Sequence, residues 1–251
     1  MAMKAGLTSV SFRKLPVGDV IAAAAGAHLA GIEWGGDVHV PPGDRKAAME
    51  TAAATIAAGL EVSSYGSYYR AGDDSTPFEA VIEAALALSA PVIRVWAGRR
   101  GSADADEAYR RTVVRDTSRI AQMAAGAGVR VAYEFHAGTL TDTPPSARDL
   151  LEAVGHEHLG CYWQPVVGQD ERANLRSLEM VLPWLANLHV FHWTAGRRWP
   201  LAQGAEPWRS YLDLARTTGR PHWAILEFVA GDDPANLPAD AATLIDLLAE
   251  R

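Results

Sequence analysis

Over its 251 residues the chain alternates short β-like runs with longer helix-like runs, eight times in succession. The β-like runs fall at about residues 6–12, 31–35, 60–65, 92–96, 129–136, 159–164, 188–193 and 223–229. The helix-like runs follow at about 17–30, 45–58, 77–89, 104–127, 146–154, 171–185, 207–218 and 234–248. Strict β-α alternation predicts a parallel sheet, because parallel neighbours need a crossover and a helix supplies it. Eight such units in this length predict an α/β chain that closes as a single (β/α)8 TIM barrel over residues 1–251. A doubly wound open sheet is the rival architecture, and no Gly-x-Gly-x-x-Gly follows the first β-like run to support it. Asp44 is expected to cap the second helix, and Pro77 to stand in the first turn of the third. The Gly, Ser, Tyr and Arg after Tyr65, and the stretch with Arg197, Arg198 and Trp199, are expected to be loops.

Composition narrows the function classes. Hydrophobic residues make up 49% of the chain, enough for a large core, and the formal net charge of -7 argues against nucleic acid and anionic membranes as partners. The single cysteine, Cys161, excludes an internal disulfide framework and a Cys-rich zinc site, and is expected to be a small core residue. No apolar run reaches membrane-spanning length and no signal-peptide pattern opens the chain, so the expectation is a soluble cytoplasmic protein. Whether it forms a homo-oligomer stays open.

The fifth β-like run carries a misplaced charge. Val129, Val131, Tyr133 and Phe135 share one face, while Ala132, Glu134 and His136 share the other. A carboxylate inside a core-forming run needs a cation, a hydrogen-bond network or a proton. Glu134 is therefore either half of a structural ion pair or a functional group. In (β/α)8 barrels function gathers at the carboxyl ends of the strands. There the sequence places Glu134, Gln164, His192 and Glu227, on strands five to eight. Two carboxylates, an imidazole and an amide oxygen suit one divalent ion: Mn²⁺, Mg²⁺, Co²⁺ or Zn²⁺. The competing reading is four unrelated polar groups, each bonded locally. Trp34, Trp96, Trp163 and Trp193 also fall at strand ends, where indoles either receive the C–H faces of a sugar or simply close the barrel top. Glu33 and Arg94 lie on alternate strands facing the interior, which predicts a buried ion pair, with Arg94 reaching a substrate oxygen as the alternative. Tyr65, Trp96, His39 and His136 complete the candidate substrate contacts.

The sequence resembles the xylose isomerase-like TIM-barrel superfamily, the sugar phosphate isomerase/epimerase group that includes ketose 3-epimerases and hydroxypyruvate isomerase. The resemblance covers essentially the whole chain. It rests on Gly31-Ile-Glu-Trp-Gly-Gly-Asp-Val-His39, Tyr133-Glu-Phe-His-Ala-Gly-Thr-Leu-Thr-Asp-Thr143, His189-Val-Phe-His-Trp193 and Ile225-Leu-Glu-Phe228. It implies metal ligation by Glu134, His192 and Glu227, with the two glutamates doubling as the proton-transferring pair. It implies also a substrate contact from Arg198, six residues after His192. At strand six the family commonly reads Gly-x-x-x-Asp-x-x-His, whereas Gly160-Cys-Tyr-Trp-Gln164-Pro-Val-Val167 has Gln for Asp and Val for His.

The expected activity is metal-dependent isomerisation or epimerisation of a sugar or hydroxyketo acid, through proton abstraction next to a carbonyl and a metal-bound enediolate. Three rivals stand beside it. One is a metal-dependent lyase or dehydratase on the same fold. Another is an endonuclease IV-like repair enzyme, disfavoured by the acidic chain and the scarcity of ligands at strands six and seven. The last is a non-catalytic metabolite-binding barrel.

Overall fold

The computed structural model of the protein describes residues 3–73, 75–194 and 196–250. Eight parallel strands form a closed barrel: β1 (Lys4–Thr8), β2 (Gly31–Gly35), β3 (Glu61–Arg70), β4 (Val92–Trp96), β5 (Arg130–Glu134), β6 (Leu159–Trp163), β7 (Leu185–Val190) and β8 (Trp223–Leu226). Each pairs with its chain neighbours, and β8 closes on β1 with Leu7 beside Leu226. Eight helices cover the outside: α1 (Val17–Gly26), α2 (Arg45–Ala57), α3 (Phe78–Leu88), α4 (Glu107–Gly126), α5 (Pro144–Val154), α6 (Glu171–Val181), α7 (Ala205–Arg216) and α8 (Leu237–Ala249). Asp44, Asp106 and Asp170 cap α2, α4 and α6 by accepting the amides of Ala47, Tyr109 and Ala173.

Period-two alternation sorts the strand side chains. On β5, Val131 and Tyr133 point outward, and the Tyr133 hydroxyl bonds Thr117 of α4, while Ala132 and Glu134 point inward. Inside the barrel, Val92, Ala132, Tyr162, Trp223 and Ile225 form a separate apolar plug. Gly31 makes room for it: a Cβ there would stand 2.5 Å from the Glu61 carbonyl and 2.7 Å from the Trp223 ring. Above the plug the interior turns polar. Among the described residues no helix is long and apolar enough to cross a membrane.

Several boundaries differ from the sequence expectation, each for a local reason. The first strand stops at Thr8, and Ser9–Phe12 is a 3-10 turn. β3 runs on to Arg70 through an irregularity between Gly66 and Arg70, where Tyr68 takes φ 59°. Pro77 is the N-cap of α3, one position before its first turn. A 3-10 turn, Leu182–Trp184, ends α6 early, so β7 begins at Leu185. The expected loop at Arg197 contains a two-stranded antiparallel ribbon, Trp193–Thr194 against Arg197–Arg198.

Trp163, on the outer face of β6, donates its indole N–H to Ser177 of α6 at 2.9 Å and meets Trp208 and Tyr211 edge-on. Trp163→Ala should therefore cost about 3–5 kcal/mol of stability. Chemical denaturation should show it as a lower midpoint.

Candidate active site

Three inward side chains converge where the barrel interior becomes polar. Glu134 of β5, His189 of β7 and Glu227, just past β8, each offer one ligand atom, and these atoms lie within 4.8 Å of one another. All three residues are buried. His189 Nδ1 is the hub: it stands 3.4 Å from Glu134 Oε1, 3.5 Å from Glu227 Oε2 and 3.2 Å from Gln164 Oε1. Gln164 is held in that orientation by donating its Nε2 to the Phe135 carbonyl at 2.9 Å. The other imidazole nitrogen, Nε2, faces Glu33 Oε1 at 3.3 Å. A carboxylate behind a histidine fixes which nitrogen is presented to the centre.

Arg94 ties this group together. Its Nε donates to Glu33 Oε1 at 3.0 Å, and its Nη1 meets Glu134 Oε2, which also accepts the Trp96 indole N–H. Ser64 donates to the second oxygen of Glu33 at 2.8 Å. Gly66 on β3 gives the guanidinium its berth, since a Cβ there would lie 2.5 Å from Arg94 Nη2. The expected Glu33–Arg94 pair is thus present, and Arg94 bridges on to Glu134.

The electrostatics follow from burial and these partners. Burial alone would raise the Glu134 carboxyl, but Arg94 and the His189 hydrogen bond outweigh it and hold the group down at about 2. Glu33 is likewise lowered, by Arg94 and His189 against its burial. Among the described residues Glu227 has no guanidinium within ion-pair distance, and burial pushes it upward. Burial would lower His189, yet the surrounding Glu227 and Glu33 carboxylates raise it to about 10. Three carboxylates and one guanidinium leave two negative charges to balance beside a neutral His189. One divalent ion would do so. Two protons would serve equally, one on His189 and one on Glu227. The donor chemistry therefore fits a divalent ion held by Glu134, Gln164, His189 and Glu227.

The cleft above has a volume of about 430 Å³ and lies between two aromatic groups. Trp96, stacked on His136 at 4.2 Å and edge-on to Tyr68 at 5.3 Å, forms one. Trp193, stacked on Phe191 at 4.2 Å and tilted against Phe228 at 5.6 Å, forms the other. Of the four tryptophans expected at the mouth, Trp96 and Trp193 line it, whereas Trp34 and Trp163 face outward and are buried under the helices.

Several expected positions are corrected. His192 does not reach the centre: it sits two residues beyond β7, packed on Gly204 with Trp208 and Tyr211 nearby. Its place is taken by His189, which alternation puts on the inner face with Asn187 while Leu188 and Val190 pack outward. Polar Asn187 and His189 flanked by Leu188 and Val190 was the signal that could have found it. His39 is buried between the Ser9 hydroxyl and the Leu15 carbonyl, each at 3.0 Å, away from the cleft. Tyr65 donates to the Val40 carbonyl at 2.8 Å and also lies outside; Tyr68 lines the cleft in its stead. His136, Trp96 and Arg94 do line it. Arg198 sits beside it, stacked on Phe228 at 3.8 Å and paired with Asp232. Cys161 is buried, as expected, and burial raises its thiol to about 12.

Two outcomes test this arrangement. A group raised in the folded state stabilises it fully below its unfolded pKa, about 6.5 for histidine, and loses that contribution as pH climbs through the folded value. With His189 at about 10, the metal-free protein should lose stability steadily from about pH 6.5 to 10, measured as urea midpoints in chelator. In His189→Asn this slope should largely vanish. Replacing neutral Gln164 by a carboxylate adds a negative charge at the centre. Gln164→Asp and Gln164→Glu should both bind a divalent ion more tightly in calorimetric titration, the Glu variant despite losing its bond to Phe135. If neither does, Gln164 is not a ligand.

Comparison with known proteins bears on the fold and the family. The chain is 29% identical over 177 residues to a 3-dehydroshikimate dehydratase of Bacillus anthracis, a match that spans 61% of this chain and 61% of the relative's length. Among solved structures, the probable 3-DHS dehydratase AsbF of Bacillus anthracis superposes with a TM-score of 0.80 at 23% identity, over 97% of this chain and 99% of that one. D-psicose 3-epimerase, solved in the presence of D-fructose, gives 0.75 at 14% identity, over 97% and 98%. The sequence profile of the xylose isomerase-like TIM barrel family matches residues 21–251, and the chain belongs to that family.

Proposed function

We propose that the chain is a divalent-metal-dependent isomerase or epimerase of a small sugar or hydroxyketo acid, acting by proton transfer at a carbon next to a carbonyl. The observation that carries this reading is the convergence of Glu134 and Glu227 with His189 at the inner end of an aromatic-lined cleft. Glu134, Gln164, His189 and Glu227 would hold the ion, which when bound supplies Lewis acidity to a hydroxyl–carbonyl pair.

The two glutamates divide the proton work unequally. Glu134 has one oxygen committed to Arg94 and Trp96, which fixes its plane and leaves Oε1 toward the centre. Glu227 is held on its side chain only through His189, and burial raises its proton affinity. The two differ in proton affinity, raised at Glu227 and lowered at Glu134, and they face the cleft from strands three apart. One carboxylate removes the carbon-bound proton and the other returns it, each transfer contributing roughly 10²–10⁴-fold. Trp96 and Trp193 exclude water from the two sides of the reacting carbon.

A second reading is dehydration, in which Glu134 takes the proton and Glu227, as the carboxyl more ready to hold one, gives it to a departing hydroxyl. The likeness to a 3-dehydroshikimate dehydratase and the inequality of the two carboxyls favour it. Exchange of substrate C–H with D₂O over a panel of ketoses, together with ultraviolet monitoring of 3-dehydroshikimate, separates the readings. Metal-dependent exchange in a ketose supports isomerisation or epimerisation, and loss of water from 3-dehydroshikimate supports the lyase. Binding without either reaction would leave a metabolite binder. Glu134→Gln and Glu227→Gln should each lower turnover at least about 100-fold with the fold intact, because an amide cannot carry the proton. Near wild-type rates in either variant would remove that glutamate from the mechanism.

A further inference from the structure

The cleft opens beside a second cavity of about 880 Å³, and Trp193 and Val167 line both. Two adjacent arginines of the Trp193–Arg198 ribbon line the outer cavity. Each is laid on a ring: Arg197 lies 4.0 Å over Trp199, and Arg198 lies 3.8 Å over Phe228 and 4.9 Å over Trp193. Stacking of this kind fixes the plane of a guanidinium and leaves its N–H edge to meet a carboxylate or phosphate in a bidentate fork. Among the described residues Arg197 has no carboxylate within ion-pair distance, and Asp232 is the one carboxylate within that distance of Arg198.

The two guanidiniums that line the inner cleft are both paired. Arg94 is committed to Glu33 and Glu134, and Arg13 to Asp37 at 2.6 Å; no lysine lines it. The outer cavity adds Arg197, a guanidinium with no carboxylate partner among the described residues, as a cationic partner for an anionic group of a substrate. The Arg198–Asp232 pair is readily exchanged, since the two side chains are 28% and 53% exposed and exposed pairs hold weakly. Asp232 also sits in a turn where Phe228, Gly231 and Asp232 all take positive φ, of 63°, 64° and 57°.

We infer that the outer cavity is an oxyanion subsite, in which Arg197 and Arg198 receive a substrate carboxylate or phosphate and Asp232 holds Arg198 until that anion displaces it. The subsite itself stands on the outer cavity, and rests on the proposed function only for what the other end of the substrate does. The substrate class is then a hydroxyketone with its reacting end at Glu134 and Glu227 and an oxyanion at the far end.

Calorimetric titration with inorganic phosphate tests the subsite apart from turnover. Phosphate should bind the wild-type protein, about tenfold more weakly in the double variant Arg197→Gln/Arg198→Gln, and about threefold more tightly in Asp232→Asn. Asn tolerates the left-handed backbone at that position, so the turn is kept. Equal binding in wild type and the double variant, or weaker binding in Asp232→Asn, overturns the subsite. A second arm compares a neutral ketose, its terminal phosphate ester and a hydroxyketo acid in D₂O exchange. One of the two anionic compounds should be preferred, which separates phosphate from carboxylate, and the preference should fall in the double variant. Preference for the neutral ketose overturns the assignment. Phosphate binding as expected, with no exchange in any compound, sinks the proposed reaction and leaves the subsite standing.

Discussion

A single guanidinium in the barrel interior is the constraint on which the site depends. Arg94 is 2% exposed and lies between Glu33 and Glu134, so three strands, β2, β4 and β5, are joined by charge at one level. His189 extends the connection to β7 through Glu33. Removing any one member would leave its neighbours buried and unpaired, which is far more costly than exchanging the whole set for apolar residues. The network therefore says little about how stable the barrel is. It says much about where the Glu134 carboxylate points, because one of its oxygens has no freedom left. Gly66 belongs to the same device, since its missing Cβ is what lets the guanidinium lie flat against β3.

The barrel was legible in the sequence because periodicity encodes it redundantly. Eight repeats of one pattern survive errors of several residues at each boundary, and β1, β3 and β7 each contained such errors without changing the architecture. The site was less forgiving. Glu134, Gln164 and Glu227, which the structure brings together, were legible as candidates because each interrupts an apolar run, and the Glu33–Arg94 pair because alternation pointed both inward. The histidine was missed through a boundary: taking the seventh strand as residues 188–193 made His192 its closing residue, whereas the turn at Leu182–Trp184 starts the strand at Leu185 and leaves His192 beyond its end. With His192 outside, the six-residue spacing to Arg198 loses its meaning, and Arg198 has to be judged by where the ribbon puts it. Tyr65 and Tyr68 differ in the same way, because an irregularity in β3 turns Tyr68 toward the cleft, which no period-two rule anticipates. The indoles failed for a different reason. A tryptophan at a strand end is compatible with either face, and Trp34 and Trp163 found hydrogen-bond partners, Thr55 and Ser177, under the helices.

The polar centre and the aromatic cleft divide recognition between them. The centre is dense in charge, with Glu33, Arg94, Glu134, His189 and Glu227 in contact. The cleft walls are rings, several carrying an arginine on one face, as with Arg70 over Trp96 at 3.8 Å. Such walls are stiff and discriminate by shape, while the charges behind them decide the chemistry.

The near-neutrality of the centre in two different states has a consequence for the life of the protein. The surrounding carboxylates raise the proton affinity of His189 and burial raises that of Glu227, so protons can stand where a divalent ion would otherwise balance the charge. Loading of a divalent ion there would be an exchange in which the ion enters and protons leave, with acidity competing for the same seats. An ion held more tightly by the folded barrel than by the open chain would also stabilise it, so its supply would set how many copies are loaded and how long each persists.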